Sequence, residues 1–143
     1  MNNPQGLTLY EIEIGMSASY SQTITDADIK AFAGLSGDNN PVHMSEEYAC
    51  ESRFKKRIAH GLISASFFSA LFGTRLPGPG CVYVGQNLKF KKPVYIGDTV
   101  TATVSVTSID LAKNMIFFST MCFVKNKIVI SGTAEIYIPK NKK

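Results

Sequence analysis

The sequence predicts an α+β protein in which an antiparallel β-sheet wraps around one long buried helix, and three observations carry the prediction. Residues 61–75 place Ile63, Ala65, Phe67, Phe68, Ala70, Leu71 and Phe72 around the whole circumference of a helix, and a helix that is apolar all round has to be buried. Four strand-like segments then follow one another without a crossover helix, which implies antiparallel pairing, and a sheet with one face to hide beside such a helix should curl over it. The chain has 143 residues, 45% hydrophobic and 18% charged, with no repeat and no linker, so residues 1–143 read as one domain with an ordinary core.

Residues 20–24 suggest a short first strand. Thr25-Asp26-Ala27-Asp28 reads as a helix start, with Thr25 as cap and acids in the first turn. Ile29, Phe32 and Ala33 give that helix its apolar face, and Gly37 ends it. Residues 46–51 suit a short helical turn, followed by a basic loop over residues 53–57. The long helix runs over residues 61–75 until Leu76-Pro77-Gly78-Pro79-Gly80 stops it. The strands that follow cover residues 82–92, 99–109, 115–124 and 128–138, with Lys125-Asn126-Lys127 as the turn between the last two. The basic tail Lys140-Asn141-Lys142-Lys143 is expected to fray.

Composition narrows the function classes. Residues 1–6 lack a basic and an apolar region of the secretory type, and the longest apolar run is broken by Ser64, Ser66 and Ser69, so a cytoplasmic protein with no membrane partner is expected. Cys50, Cys81 and Cys122 are odd in number and scattered, a pattern of neither a disulfide framework nor a zinc site, and no metal is expected. The net charge of +4 is unevenly spread. Between Glu51 and Asp98 there is no acid, while Arg53, Lys55, Lys56, Arg57, Arg75, Lys89, Lys91 and Lys92 carry +8, leaving −4 on the rest. That middle stretch should attract an anion, unless its lysines merely solvate a strand. With no Trp and no RNA-binding aromatic signature, nucleic acid is not the expected partner; a phosphorylated small molecule is.

The stretch Asp38-Asn39-Asn40-Pro41-Val42-His43 is the richest in chemistry. A carboxylate and an imidazole five residues apart diverge on a helix, and they converge only if the backbone between them bends. Pro41 favours the bend by fixing its own φ and pushing Asn40 out of the helical region. An Asp and a His brought together this way hold one water and exchange protons with it near neutral pH. The same residues also suit a plain surface loop. With His60 the chain's other histidine, any imidazole chemistry must use one of the two. His60-Gly61 opens the buried helix, where free backbone N–H groups face outward. Either Gly61 lets an oxyanion approach them, or it only permits tight packing with His60 as cap.

The run Phe32-Ala33-Gly34-Leu35-Ser36-Gly37-Asp38-Asn39-Asn40-Pro41-Val42-His43, followed by Ala49, resembles the signature of the MaoC-like R-specific enoyl-CoA hydratases, a hotdog-fold family. His60-Gly61-Leu62-Ile63, the run from Gly85 to Val94 and Gly97-Asp98-Thr99-Val100 extend the likeness over residues 18–138. The resemblance implies a substrate, a trans-2-enoyl thioester of coenzyme A, to which water adds to give an R-3-hydroxyacyl thioester. It implies that Asp38 and His43 bind the water, that Asn40 orients the pair by hydrogen bonding, and that the Gly61 N–H receives the thioester oxygen. No cofactor is implied, coenzyme A being part of the substrate.

On that footing Arg53, Lys55, Lys56 and Arg57 are candidates for the coenzyme A phosphates. Ser69 and Phe72 are candidates for the acyl pocket, Phe72 shortening it to favour short chains. Hotdog domains usually pair, so a homodimer is expected. Thioesterases and acyl-carrier-protein dehydratases of the same fold commonly draw a carboxylate from the central helix, which here has no Asp or Glu. The carrier-protein dehydratase and a non-catalytic thioester-binding module stand as the alternatives.

Overall fold

The computed structural model describes residues 5–140. The tail residues 141–143 and the start of the chain, for which sequence expectations were formed, lie outside them. Five strands form one sheet in the order β1-β3-β4-β5-β2, with every neighbouring pair antiparallel: β1 (Ser17–Thr23), β2 (Val82–Phe90), β3 (Thr99–Asp110), β4 (Met115–Val124) and β5 (Lys127–Tyr137). Period-2 alternation decides which side faces in. Val100, Ala102, Val104 and Val106 of β3 and Ile116, Phe118, Thr120 and Cys122 of β4 are buried. On the opposite side of β1 and β3, Ser17, Ser19, Ser21 and Thr23 pair hydroxyl to hydroxyl with Ser105, Thr103, Thr101 and Thr99 at 2.7–3.2 Å. Such cross-strand pairs contribute about 0.2–1 kcal/mol each, and they leave that edge of the sheet polar.

The β4–β5 hairpin turns on Lys125 and Asn126, both left-handed (φ 50° and 66°). Two consecutive positive φ values match the twist of the flanking strands, which is why β5 begins already at Lys127.

Among the described residues, four α-helices and a 3-10 turn (Leu9–Glu11) complete the fold. Helix α1 (Asp26–Ser36) carries the expected cap: the Thr25 hydroxyl accepts from the Asp28 N–H and the Asp28 carboxylate accepts from the Thr25 N–H. Gly37, at φ 82°, returns its N–H to Ala33. Helices α2 (Pro41–Met44) and α3 (Glu46–Glu51) are single turns joined at Ser45, which ends one and caps the other. The long helix α4 (Gly61–Thr74) packs against β1, β2, β3 and β4, most closely against β3. Its Phe68 and Phe72 are about fully buried, and Phe72 packs edge-on against Phe118 at 4.8 Å between ring centres.

The expectation that α4 is buried all round needs correcting. Leu62, Ser66, Ser69, Ala70 and Gly73 form an exposed stripe, of which Leu62, Ser66 and Ser69 face a groove beside β2. Except for Leu62 that stripe is small or hydroxylic, so leaving it open costs little apolar exposure. Among the described residues no helix is long and apolar enough to cross a membrane.

Candidate active site

The turn between α1 and α2 closes on its own hydrogen bonds. Ser36 Oγ donates to Phe32 O and accepts from the Asp38 N–H; Asp38 Oδ1 accepts from the Asn40 N–H at 3.1 Å; Asn40 Oδ1 accepts from the Val42 N–H at 3.1 Å. Pro41 follows as the first helical residue, where its missing N–H costs nothing. One turn later comes His43, 8% exposed. The backbone thus bends as the proline predicted. Asn40, however, caps α2 through its side-chain oxygen, so it supports the pair by shaping the turn.

His43 Nδ1 lies 2.7 Å from the carbonyl oxygen of Ile58. A carbonyl only accepts, so Nδ1 carries the proton and Nε2 of the neutral ring presents a lone pair. His60 has the mirrored arrangement: Nε2 donates to the Asp38 carbonyl at 2.9 Å, and its buried Nδ1 has no protein partner. The two rings stack with centres 3.9 Å apart and planes 31° from parallel, and Phe32 packs on His60 at 4.8 Å. Burial lowers the His43 pKa below the usual imidazole value; the Ile58 carbonyl opposes that, His60 adds to it, and the Asp38 carboxylate opposes it in turn. The ring is therefore a neutral base at pH 7.

One ligand-type atom from each of Asp38, His43 and His60 lies within 4.8 Å of the others. Polar atoms at that spacing can share one hydrogen-bonded water.

His60 also caps α4, and Gly61 is its first residue. The leading N–H groups of a helix have no intrahelical acceptor and carry the positive end of its dipole. A Cβ on Gly61 would stand 2.5 Å from Cδ1 and Cε1 of Phe90, so the absence of a side chain is what lets that ring lie over the helix end. Asp38, His43, His60 and Gly61 all line one cavity of about 400 Å³, together with Phe32, Phe54 and Phe90. It brings together two proton acceptors and an oxyanion-type donor, the set needed to add water beside a carbonyl.

Residues 10–131 match the family model described as the MaoC like domain. The chain belongs to that family. It is 56% identical over 129 residues to an (R)-specific enoyl-CoA hydratase of Rhodospirillum rubrum, with 90% of each chain covered. In solved structures it superposes on an (R)-hydratase from A. caviae involved in PHA biosynthesis, with a TM-score of 0.88 and 39% identity over 90% of this chain and 98% of that one. An unliganded R-hydratase from Pseudomonas aeruginosa gives the same TM-score at 41% identity, over 95% and 88%. These likenesses establish the hotdog fold.

For this MaoC-like protein the basic residues separate into two groups. Arg53 lines the cavity, and so do Lys91 and Lys92, which the sequence reading counted in the positive stretch without assigning to the site. Lys55 and Lys56 do not line it; Lys56 Nζ sits 5.1 Å over the Tyr95 ring. Arg57, expected to reach a phosphate, turns inward, with a side chain only 10% exposed and bonded to Asp26 and to His43 O. The acyl-side candidates separate too. Ser69 lines a groove of about 410 Å³ between α4 and β2, shared with Leu62, Tyr83, Val84 and Leu88. Phe72 does not line it: it is 1% exposed and wedged between Tyr83 and Phe118 as core.

Proposed function

We propose that this MaoC-like protein is an R-specific enoyl-CoA hydratase, a hydro-lyase that adds water reversibly to trans-2-enoyl-CoA to give (R)-3-hydroxyacyl-CoA. The observation that carries the reading is the convergence, in one cavity, of the Asp38 carboxylate and the His43 imidazole beside the N-terminus of α4. Two acceptors hold both hydrogens of a single water, which leaves the oxygen lone pair pointing at the substrate. As the C–O bond forms at the β-carbon, one O–H bond breaks and its proton passes to the Asp38–His43 pair. The α-carbon then takes a proton from the pair on the same face. Between these events charge collects on the thioester oxygen, where the Gly61 N–H and the helix dipole stabilise it. Water and substrate balance the reaction without a cofactor.

Arg53, Lys91 and Lys92 supply positive charge for the coenzyme A phosphates, and the α4–β2 groove offers the acyl chain an apolar path. A second copy of the chain would cover that groove: β2 is an edge strand with Val82, Tyr83, Val84 and Phe90 exposed. The expected particle is a homodimer, which light scattering at micromolar concentration checks.

The test of function is loss of enoyl-thioester absorbance with crotonyl-CoA for wild type, Asp38→Asn and His43→Ala, with the product configuration determined. Hydration to the R product by wild type, nearly abolished in both folded variants, supports the proposal. Binding without turnover, indifferent to Asp38→Asn, would instead make this a thioester-binding module. Activity confined to a thioester on acyl-carrier protein would reassign the substrate carrier.

A further inference from the structure

The guanidinium of Arg57 is nine-tenths buried beside the site, yet the reaction written above gives it no task. Its partners belong to three different helices. Nη2 pairs with Asp26 Oδ1 at the start of α1 at 2.6 Å, Nε donates to the carbonyl of His43 near the end of α2 at 2.6 Å, and Nη1 lies 3.9 Å from Glu46 Oε2 at the start of α3. The next residue continues the clasp. The Ile58 N–H donates to Val42 O at 3.3 Å, and the Ile58 carbonyl receives the His43 Nδ1 proton at 2.7 Å.

We propose that Arg57 is a positioning residue for His43, and that it does not contact the coenzyme A phosphates. Its fork holds the His43 carbonyl against α1 while the adjacent Ile58 carbonyl fixes the ring tautomer, which leaves Nε2 as the free acceptor of a ring clustered with Asp38 and His60. A planar guanidinium spans a carbonyl and a carboxylate at once; a lysine ammonium on a flexible stem is a point charge and does not reproduce that span. An α2 of four residues is a single turn, closed by the Ser45 N–H on Pro41 O, and so short a helix gains little stability of its own, which is why an outside clasp matters. Removing Arg57 strands no carboxylate, because Asp26 keeps Lys30 at 2.9 Å and is itself 41% exposed, so the Met variant should fold.

This inference rests on the hydratase reading, and the experiment separates the two. Arg57→Met and Arg57→Lys are assayed with crotonyl-CoA, and the ring nitrogens of His43 and His60 are followed by ¹⁵N NMR, the chain having only these two histidines. Misplacing a catalytic group is expected to lower kcat by about 10- to 100-fold, with KM within about twofold and the Lys variant restoring little. The His43 signals should move from the Nδ1–H tautomer to a mixture while His60 stays unchanged. A raised KM at unchanged kcat would overturn the proposal in favour of a phosphate contact, and unaltered kinetics with unaltered His43 signals would overturn it outright. If wild type hydrates nothing, the spectra still decide: a changed His43 tautomer supports the clasp although the hydratase reading has failed, and an unchanged one removes it. Should Arg57→Met not fold, Asp26→Asn loosens the same fork from its far side. There a fall in kcat at constant KM supports the proposal, and wild-type kinetics with wild-type spectra refute it.

Discussion

Between Ser36 and His43 nearly every polar group is spoken for, by Phe32 O, by the next N–H in the turn, by Ile58 or by His60, whereas the groove between α4 and β2 is walled by Leu62, Ser69 and Val84 with open space between them. Both regions use the same helix. One holds reacting atoms in place with short-range hydrogen bonds; the other is an apolar channel whose width depends on how a distant strand packs. Position matters to a fraction of an ångström in the first and to about a methylene in the second, so substitutions should divide accordingly.

The sharpest way to break the comparison is at the pair itself. Asp38→Asn and His43→Ala should each lower kcat/KM for crotonyl-CoA by about 10²–10⁴-fold, with thermal unfolding near that of wild type for Asp38→Asn and a lower but cooperative transition for the buried His43→Ala. Loss below tenfold in both would mean the turn is scaffolding. Next in size comes the shared helix. Phe68→Ala and Phe72→Ala should each cost about 3–5 kcal/mol in denaturant unfolding. Phe72→Ala should leave the ratio of octenoyl to crotonyl turnover unchanged in whatever fraction stays folded, since Phe72 does not line the groove. Tyr83→Ala, which does open it, should raise that ratio. A reversal of these two results would restore Phe72 as the determinant of chain length.

Gly61→Ala tests where the two regions meet. The new methyl would press on the Phe90 ring, the movable end of a side chain that is 55% exposed, so the fold should survive. The oxyanion donor should be displaced or masked, with an expected loss of about 10- to 100-fold in kcat. Adding Phe90→Leu relieves the contact. Recovery in the double variant would show the ring to be the cause, and additive losses would show that Gly61 matters on its own account.

The same contrast explains what could be read without coordinates. The caps at Thr25 and Gly37, the bend at Pro41 and the ends of α4 depend on neighbours within four residues, and each was legible. The Asp38–His43 pairing was legible because a proline turn leaves few other conformations. His60 as a ring stacked on His43, Arg57 as a strut and Lys91 and Lys92 in the cavity depend on which segments lie side by side in space, and local sequence carries no trace of that. Phe72 was misplaced for a related reason: a helix apolar on every face does not announce which face the sheet leaves uncovered.

The smallest effect concerns pH. Burial lowers the His43 pKa below its unfolded value of about 6.5, with the neighbouring His60 in the same sense and Asp38 against. Between those two pKa values the unfolded chain binds more protons than the folded one, so stability rises with pH there. The contribution of His43 is therefore complete above about pH 6.5 and is lost as pH falls through the lowered folded value. Activity should follow the folded-state value alone, because only the neutral ring accepts the proton of water. The acid limb of kcat/KM with crotonyl-CoA is thus expected to have its midpoint below about 6.5. A midpoint above that would mean the Asp38 carboxylate outweighs burial, and activity that rises as pH falls through this range would instead mean that the site works with an imidazolium.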